Sequence, residues 1–579
     1  MSYNVLAINP GHNGSMCFLK DGKIELYIEE ERLTRQKYDG NPLRGITHVL
    51  QKNKIDVLVL GGTGDHAYPK LTWNGEDPFS SLVRRFCPNV KIFNLSDQHH
   101  FGHAACAFYN SGFDEAAAVI VDGAGSIHPT GIQAYFDTAG SEIESIYDCS
   151  YEKDMAIVYK SYGTNFGATL YNKEKTVKLT SGVGITKAYE SVTGYLGFHA
   201  IEAGKTMGLS SYGGQNDQIP EMFFGNNSNK HLFTPGYPSG GYIEVENYPQ
   251  FKLKSMNEDR AGMSILLHEV AKDKDDLKFV QDLAWKLQQE TQKQVGDLIE
   301  KAVQMTGKKN VVIAGGFGLN CVANYYYKKR FPDINIYVDP VSHDGGTAIG
   351  LAKALWYSHC KENDIQTTKE PLKTLYLGVD RNSEVDVTQH LNEFDVTEVT
   401  SDDVAKLIAD QNIVCLFNGA AEAGPRALGN RSILFDPRTK DGKDIVNKVK
   451  GREWFRPFAG SILKEHVHEW FDMAGMDESP FMMYAVDVLP ERIGQVTSIT
   501  HVDNTCRIQT VTKEQNEHYY NLIDSFKKLT GVPILFNTSF NLAGEPLVET
   551  FDDAIRTLLN SKMNYLYVPS KGILLKKKQ

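Results

Sequence analysis

The sequence predicts an α/β protein with more than one compact unit, and three observations support this prediction. The chain has 579 residues, and since a compact unit usually takes about 100–200 residues, we expect two or three units. Short apolar segments that end in Gly-rich turns recur in the N-terminal half, as strands do. The C-terminal part alternates strand-like and helix-like segments, which is typical of mixed α/β folds.

Three strand–turn elements organise the N-terminal part. The first is NVLAIN, a turn at Pro10-Gly11, then SMCFLKD and KIELYIEE; the second is AAAVIVD, a turn at Gly123, then GIQAYFD and EIESIYD. The third is NVVIAGG, a turn at Gly318 and a helix from about Leu319. We interpret the repetition as an internal duplication.

This repetition predicts the actin-like ATPase architecture, in which two duplicated lobes close on a nucleotide. Gly-rich turns after strands let backbone N–H groups come close to phosphate. The alternative, that these turns only connect strands, stays open.

The predicted domain boundary is a polar, poorly periodic stretch. It gives a first domain over 1–360, a connecting segment over 361–397 and a second domain over 398–579. Within the first domain we expect a helical insertion from Asp259 to Met305, because LAWKLQQETQKQVGDLIEKAV is amphipathic.

Composition and charge argue against several classes of protein. The net charge of −11 disfavours non-specific nucleic-acid binding. No apolar run approaches the ~18 residues that span a bilayer, and the N-terminus lacks the features of a signal peptide, so we expect a cytoplasmic protein. The eight cysteines include no Cys-x-x-Cys pair, which argues against disulfides and structural zinc.

Four residues predict a metal site in the first domain. His99 and His103 share a face if their segment is helical, and Asp122 and Asp344 stand at strand ends beside glycines. Two imidazoles and two carboxylates suit Fe(II), Mn(II) or Zn(II). The alternative is a histidine pair of the core or the surface. The neighbouring His100 and His343 are not included in the predicted set.

The second domain carries a local basic stretch. From Gly419 to Arg456 there are nine Lys or Arg against five Asp or Glu. The candidate anion ligands are the basic and polar side chains Arg426, Lys450, Arg452, Arg456, Arg507, Asn537, Ser539 and Asn541. They suit a dense anion such as carbamoyl phosphate or a triphosphate. A solvated basic face is the alternative; Arg452 and Lys448 fit it, whereas Arg426 between Gly-Pro and Ala-Leu-Gly does not.

The motifs of this chain resemble the O-carbamoyltransferase family of the NodU, CmcH and TobZ type, nearly end to end. In the first domain the resemblance rests on EEERLTRQK, HHFGHAACAFYNSGF, VDGAGS, EAGKTMGLSSYG and GGFGLNCVAN. In the second it rests on GPRALGNRSILFDPR, REWFRPFAGSIL, CRIQTV and FNTSFNLAGEPLV.

The resemblance implies a fold and a reaction. It implies an N-terminal actin-like (duplicated ribonuclease H-like) domain, similar to the tRNA threonylcarbamoyladenosine transferase, and a C-terminal YrdC-like domain. The YrdC-like domain would make carbamoyladenylate from carbamoyl phosphate and ATP. The first domain, with a divalent metal (Fe(II) ahead of Mg or Mn), would transfer the carbamoyl group to a hydroxyl of a sugar, antibiotic or related metabolite. A homodimer is left open.

The resemblance also implies roles for single residues. His99, His103, Asp122 and Asp344 match the family's metal ligands. The residues that match its carbamoyl phosphate and ATP ligands are Arg426, Lys450, Arg456, Arg507, Asn537 and Ser539. The residues that match its Gly-rich adenylate loop are Gly315, Gly316 and Asn320. We expect His12 to be the base that takes the acceptor's proton.

Two departures from the family leave the acceptor open. The usual His-Asp-Ala-Ser-Ala run is His12-Asn13-Gly14-Ser15-Met16 here, and the usual Leu-Ala-Pro-Tyr run is Leu209-Ser210-Ser211-Tyr212. The alternative functions are tRNA threonylcarbamoyl transfer by fused domains and a non-catalytic nucleotide-binding scaffold. The acidic net charge argues against tRNA threonylcarbamoyl transfer. The set of two histidines and two aspartates argues against a non-catalytic scaffold, which would not need it.

Overall fold

The computed structural model of the protein describes residues 2–63, 76–129, 139–163, 184–219, 221–223, 233–234, 242–243 and 274–578. Two compact units result: a terminal unit, Met1–Ile55 with Leu372–Gln579, and a central unit, Asp56–Pro371. Strands and helices alternate in both, which confirms the predicted α/β class. The predicted strand GIQAYFD and residues 259–273 of the predicted helical insertion lie outside the described residues.

The N-terminal segment of the terminal unit is an antiparallel meander followed by two short helices. Its elements are β1 (Asn4–Asn9), β2 (Ser15–Lys20), β3 (Lys23–Glu29), α1 (Glu30–Thr34) and α2 (Leu43–Leu50). β2 pairs with both β1 and β3. The three strands agree with the predicted ones, because each is an apolar run bounded by a turn.

The central unit contains the next strands and helices. Its strands are β4 (Val57–Leu60), β5 (Lys91–Asn94), β6 (Glu115–Val121), β7 (Ile127–Pro129), β8 (Ala139–Ser150), β9 (Ala156–Gly163), β10 (Phe233–Thr234), β11 (Tyr242–Ile243), β12 (Asn310–Ala314) and β13 (Asn335–Val338). Its helices are α3 (Pro78–Phe86), α4 (His99–Ser111), α5 (Ile185–Tyr195), α6 (Ala203–Ser210), α7 (Lys274–Thr306), α8 (Cys321–Arg330) and α9 (Gly346–Glu362).

A six-stranded sheet forms the core of the central unit. Its order is β13-β12-β6-β8-β7, with β9 paired to β8. β6 runs parallel to β12 and antiparallel to β8. All of β6 after Glu115 is buried, as expected of an apolar strand in the middle of a sheet. Asp122, the first residue after β6, therefore stands at the end of a rigid element.

Helices α4 and α9 of the central unit pack closely through small residues. A Cβ on Gly350 would lie 2.0 Å from the carbonyl oxygen of Gly102, so only glycine permits this approach. A Cβ on Gly102 would lie 3.0 Å from Thr347. This contact fixes the helix that carries the histidine pair against the helix that follows Asp344.

The C-terminal segment completes the terminal unit. Its strands are β14 (Phe394–Glu398), β15 (Val414–Phe417), β16 (Arg431–Phe435), β17 (Ala459–Leu463), β18 (Phe471–Asp472), β19 (Ala485–Val488), β20 (Thr505–Val511), β21 (Ile534–Ser539), β22 (Tyr565–Val568) and β23 (Ile573–Lys577). Its helices are α10 (Ser401–Ala409), α11 (Gly442–Lys450), α12 (Glu517–Thr530) and α13 (Phe551–Leu559). The strands form one sheet in the order β14-β23-β22-β15-β16-β21-β17-β20-β19-β18.

The division between the units differs from the predicted ranges at the N-terminus. The sequence predicts one domain over 1–360, whereas the first 55 residues group with the C-terminal segment. The physical reason is a set of hydrogen bonds: Tyr27 N donates to Leu377 O at 2.9 Å, and the Arg35 guanidinium donates to the carbonyls of Pro546 and Leu547. The other division, at Pro371, falls inside the predicted connecting segment.

Among the described residues, no helix combines the length and apolar character needed to cross a bilayer.

Candidate functional site

Four side chains converge in the central unit. One ligand atom from each of His99, His103, Asp122 and Asp344 lies within 4.8 Å of the others, and all four residues are buried. The Nε2 atoms of the two histidines are 3.1 Å apart. His99 Nε2 lies 3.4 Å from Asp122 Oδ2 and 3.6 Å from Asp344 Oδ1. The structure thus brings together all four residues of the predicted metal set.

The first turn of α4 is held by polar groups from its surroundings. His99 N donates to Ser126 Oγ at 3.0 Å, and His100 N donates to Glu142 Oε2 at 3.2 Å. Glu142 Oε2 also accepts from Ser126 N at 3.0 Å, and Glu142 Oε1 accepts from the buried Lys160 ammonium. These bonds satisfy N–H groups that a helix start leaves open, so they fix the position of the histidine pair.

The electrostatics of the cluster favour a cation. Burial lowers the pKa of His99, but the charges of Asp344 and Asp122 outweigh this and hold that pKa well above its ordinary value. The pKa of Asp122 is lowered despite burial and the nearby Asp344, because both histidines oppose these effects. The Nδ1 atoms of His99 and His103 are buried without a hydrogen-bond partner among the described residues. The donor set of two imidazoles and two carboxylates fits a divalent metal.

The two neighbouring histidines lie outside the cluster. His100 Nδ1 contacts Ser145 Oγ at 2.7 Å, and burial is the main cause that lowers the pKa of His100 to about 3. His343 Nδ1 accepts from Gly345 N at 3.0 Å.

The predicted adenylate loop lies beside the cluster. Gly315 has φ +90°, and a Cβ there would lie 2.3 Å from Val121 O, so glycine is required. Gly316 N donates to Asp122 Oδ1 at 2.9 Å, which joins the loop to a predicted metal ligand. Asn320 caps α8 by accepting from Ala323 N.

Asn320 also forms a hydrogen bond with Gln288, a residue that the sequence analysis did not predict to be near it. Its amide nitrogen donates to Gln288 Oε1 at 2.9 Å, and the same oxygen accepts from the Tyr189 hydroxyl at 2.9 Å. Gln288 is buried on α7, where its position within an amphipathic helix predicts only packing.

In the terminal unit, sheet register aligns several candidate anion ligands. Ala459 on β17 pairs with Arg507 on β20 and with Asn537 on β21, and directly paired residues point to the same face. Ser539 lies two residues beyond Asn537 and therefore also points to that face.

The cations near this face repel one another. Lys450 is buried and donates to the carbonyl of Ser539, and at 3.1 Å to Asn541 Oδ1. Burial, and then the charges of Arg452 and Arg456, hold the pKa of Lys450 well below its usual value. Burial, and then Arg456 and Arg507, do the same to the pKa of Arg452. An anion at this place would relieve the repulsion.

The Arg426 loop is held by buried side chains. Glu422 Oε1 accepts from the backbone N–H groups of Leu428 at 2.7 Å and Asn430 at 2.9 Å. Asn537 is fully buried, and its amide donates to Ala427 O at 3.2 Å. Asn537 therefore touches the loop that carries Arg426, which is itself half-buried. Glu422 was not predicted, because nothing in its spacing shows that a carboxylate gathers these N–H groups.

His12 is exposed in the terminal unit. Its Nδ1 lies 2.8 Å from Asn13 Oδ1.

Known proteins are similar to this chain in both its N-terminal and its C-terminal part. Family models described as the carbamoyltransferase N-terminus and the carbamoyltransferase C-terminus match residues 80–353 and 405–576. Nodulation protein NolNO of Sinorhizobium fredii is 30% identical over 96% of this chain and 78% of its own length. Nodulation protein NolO of Bradyrhizobium diazoefficiens is 32% identical over 81% of this chain and 77% of its own length.

Among solved structures, full-length HypF in the phosphate- and nucleotide-bound form is 13% identical with a TM-score of 0.33. The match covers 63% of this chain and 56% of that chain, so this chain spans just over half of HypF.

Proposed function

The chain belongs to the carbamoyltransferase family, and from that premise we propose that it uses ATP to move the carbamoyl group of carbamoyl phosphate onto a hydroxyl of a small-molecule acceptor. The reaction has two halves, one for each unit. The terminal unit activates the carbamoyl group as carbamoyladenylate, and the central unit transfers it.

The first half-reaction forms carbamoyladenylate in two steps. Water releases phosphate from carbamoyl phosphate and leaves carbamate. A carbamate oxygen then attacks the α-phosphorus of ATP, the bond to the β-phosphate oxygen breaks, and pyrophosphate leaves. The product is a mixed anhydride, which makes AMP the leaving group of the later transfer.

One observation supports this assignment above the others: the repelling, buried cations Lys450 and Arg452, with Arg456 and Arg507 beside them. Burying such charges is costly; Glu453 offsets part of this cost for Arg452, and phosphate groups would offset more of it. Arg456, Arg507 and Arg426 would bind phosphate oxygens, with Ser539 and Asn537 supporting the face and the loop.

The second half takes place at the cluster of His99, His103, Asp122 and Asp344. Together these side chains would hold a divalent cation, with Fe(II) preferred because two imidazoles disfavour Mg. When bound, the cation supplies a Lewis acid that polarises the carbamoyl carbonyl. Gly315 and Gly316 belong to the loop that would hold the adenylate, and the Gly316 N–H joins this loop to Asp122. The acceptor oxygen attacks the carbonyl carbon, its proton passes to a general base, and AMP leaves.

Variants in each unit test this division. His103→Ala should lose bound metal and acceptor carbamoylation, measured as one carbamoyl mass increment, but keep carbamoyl phosphate-dependent pyrophosphate release. Arg426→Ala should keep its metal and lose pyrophosphate release at least tenfold, since a charge-assisted contact to phosphate contributes roughly 1.5–3 kcal/mol.

Matched controls exist in both units. His343→Asn changes a histidine beside Asp344 that lies outside the cluster and keeps an acceptor for Gly345 N. Arg438→Ala removes a cation of the same basic stretch that is already paired with Asp436 at 2.6 Å. Both should behave as the wild type. Full metal occupancy in His103→Ala, or wild-type pyrophosphate release in Arg426→Ala, would refute the respective assignment.

A further inference from the structure

The end of β3 and the helix α1 that follows it contact the Arg426 loop from a distant part of the sequence. Glu29 Oε1 accepts from Gly424 N at 3.1 Å, and Arg32 Nη2 donates to Gly424 O at 2.7 Å. One residue of the loop is therefore held at its N–H and at its carbonyl. The motif EEERLTRQK begins at Glu29 and contains Arg32, and it has no role in either half of the reaction as described above.

Glu29 and Arg32 together form a clamp on Gly424, and both residues are buried. Glu29 is 4% exposed and Arg32 is 5% exposed, and their side chains form an ion pair at 3.2 Å. Charged groups are rarely buried to this degree unless they are paired and hydrogen-bonded. Gly424 has φ +80°, a conformation that glycine adopts without strain. The clamp therefore holds the N–H and the carbonyl of a residue whose backbone conformation favours glycine.

The clamp complements two other contacts of the loop. Glu422 holds the N–H groups of Leu428 and Asn430, and Asn537 holds Ala427 O. These contacts fix the loop after Arg426, whereas Glu29 and Arg32 fix it two residues before. The backbone is thus held on both sides of Arg426. This reduces the conformational entropy that the loop must lose when Arg426 binds an anion.

We propose that Glu29 and Arg32 are positioning residues for Arg426: by holding Gly424 they set the place from which Arg426 binds the phosphate groups of the substrate. This rests on the proposed function of Arg426. It assigns a role in the activation of the carbamoyl group to the N-terminal segment of the chain, although the family model for the carbamoyltransferase C-terminus begins at residue 405.

A double-mutant cycle tests the proposal, with inorganic pyrophosphate as the probe and its dissociation constant measured by calorimetry on the full chain. Arg32→Lys keeps the charge but loses the guanidinium, whose Nη2 donates to both Glu29 and Gly424 O. It should weaken pyrophosphate binding about tenfold in the wild-type background and less than twofold in the Arg426→Ala background, because there it has no arginine to position. Where the alanine variant binds too weakly to measure, Arg426→Gln serves as the background, since it also has no charge to position.

A matched control and a second variant keep the result unambiguous. Arg35→Lys loosens the same segment at Pro546 and Leu547 without touching Gly424, and should change binding less than twofold. Glu29→Gln keeps an acceptor for Gly424 N and replaces Arg32→Lys if that variant does not fold.

Equal weakening in both backgrounds, or the same loss in Arg35→Lys, would overturn the positioning role and leave the proposed function intact. Unchanged binding in Arg426→Ala would instead remove Arg426 from the anion site, and the positioning role with it.

Discussion

At the scale of single residues, the buried His501 makes the terminal unit sensitive to acid. Burial is the main cause that lowers the pKa of His501; Lys443 lowers it further, and Asp503 opposes the shift. Below about pH 6.5 the unfolded chain takes up a proton that the folded chain does not, so stability falls as pH drops from there towards the folded pKa.

His501→Gln should therefore lose less stability than the wild type between about pH 7.5 and 5.5. The difference is limited to about 1.4 kcal/mol per pH unit. Unfolding midpoints of both proteins at the two pH values measure it. An equal loss in both proteins would show that His501 does not contribute.

Some residues of the two sites were visible in the sequence because their spacing or surroundings are distinctive. His99 and His103 are four apart, and Asp122 ends an apolar strand, so their convergence could be expected. Gln288 and Glu422 could not be found this way. Their roles depend on which backbone and side-chain groups the fold brings to them, and neither has a neighbour in sequence that shows it.

At the scale of elements, the start of α4 sets the position of the histidine pair. Glu142→Gln removes the charge that accepts from the N–H of His100 in the first turn of this helix and pairs with Lys160. We expect divalent-metal affinity to fall roughly tenfold, as is typical when groups that orient metal ligands are changed. Titration with Mn(II) measures the effect.

Glu144→Gln is the control for this change. Glu144 lies on the same strand and is also buried, but the groups that donate to its side chain are Ile185 N and the Ser161 hydroxyl, neither of which belongs to α4. Its metal affinity should stay close to that of the wild type. The same loss in both variants would show a general weakening of β8 rather than a role of the helix start.

Element boundaries were predictable where one apolar run ends in one turn, and less so where capping decides. The strands NVLAIN and NVVIA are examples of the first kind. The helix expected from about Leu319 begins at Cys321, because Gly316–Leu319 forms a 3-10 turn and Asn320 acts as the cap. The N-terminal segment was grouped with its sequence neighbours, since hydrogen bonds such as Arg35 to Leu547 carry no local pattern.

At the scale of the whole molecule, the described residues place the histidine–aspartate cluster in the central unit and the basic face in the terminal unit. A mixture of His103→Ala and Arg426→Ala proteins should stay nearly inactive towards an acceptor. The adenylate is labile in water, so intermediate released by one chain would hydrolyse before another chain used it. Strong recovery of activity in the mixture would show that the intermediate passes through solvent.

The central claim is that ATP activates the carbamoyl group as an adenylate before any acceptor is needed. Exchange of labelled pyrophosphate into ATP measures this step alone, in the absence of acceptor. The account predicts exchange that requires carbamoyl phosphate, persists in His103→Ala and falls at least tenfold in Arg426→Ala. Absence of carbamoyl phosphate-dependent exchange in a wild-type protein that carbamoylates an acceptor would contradict it.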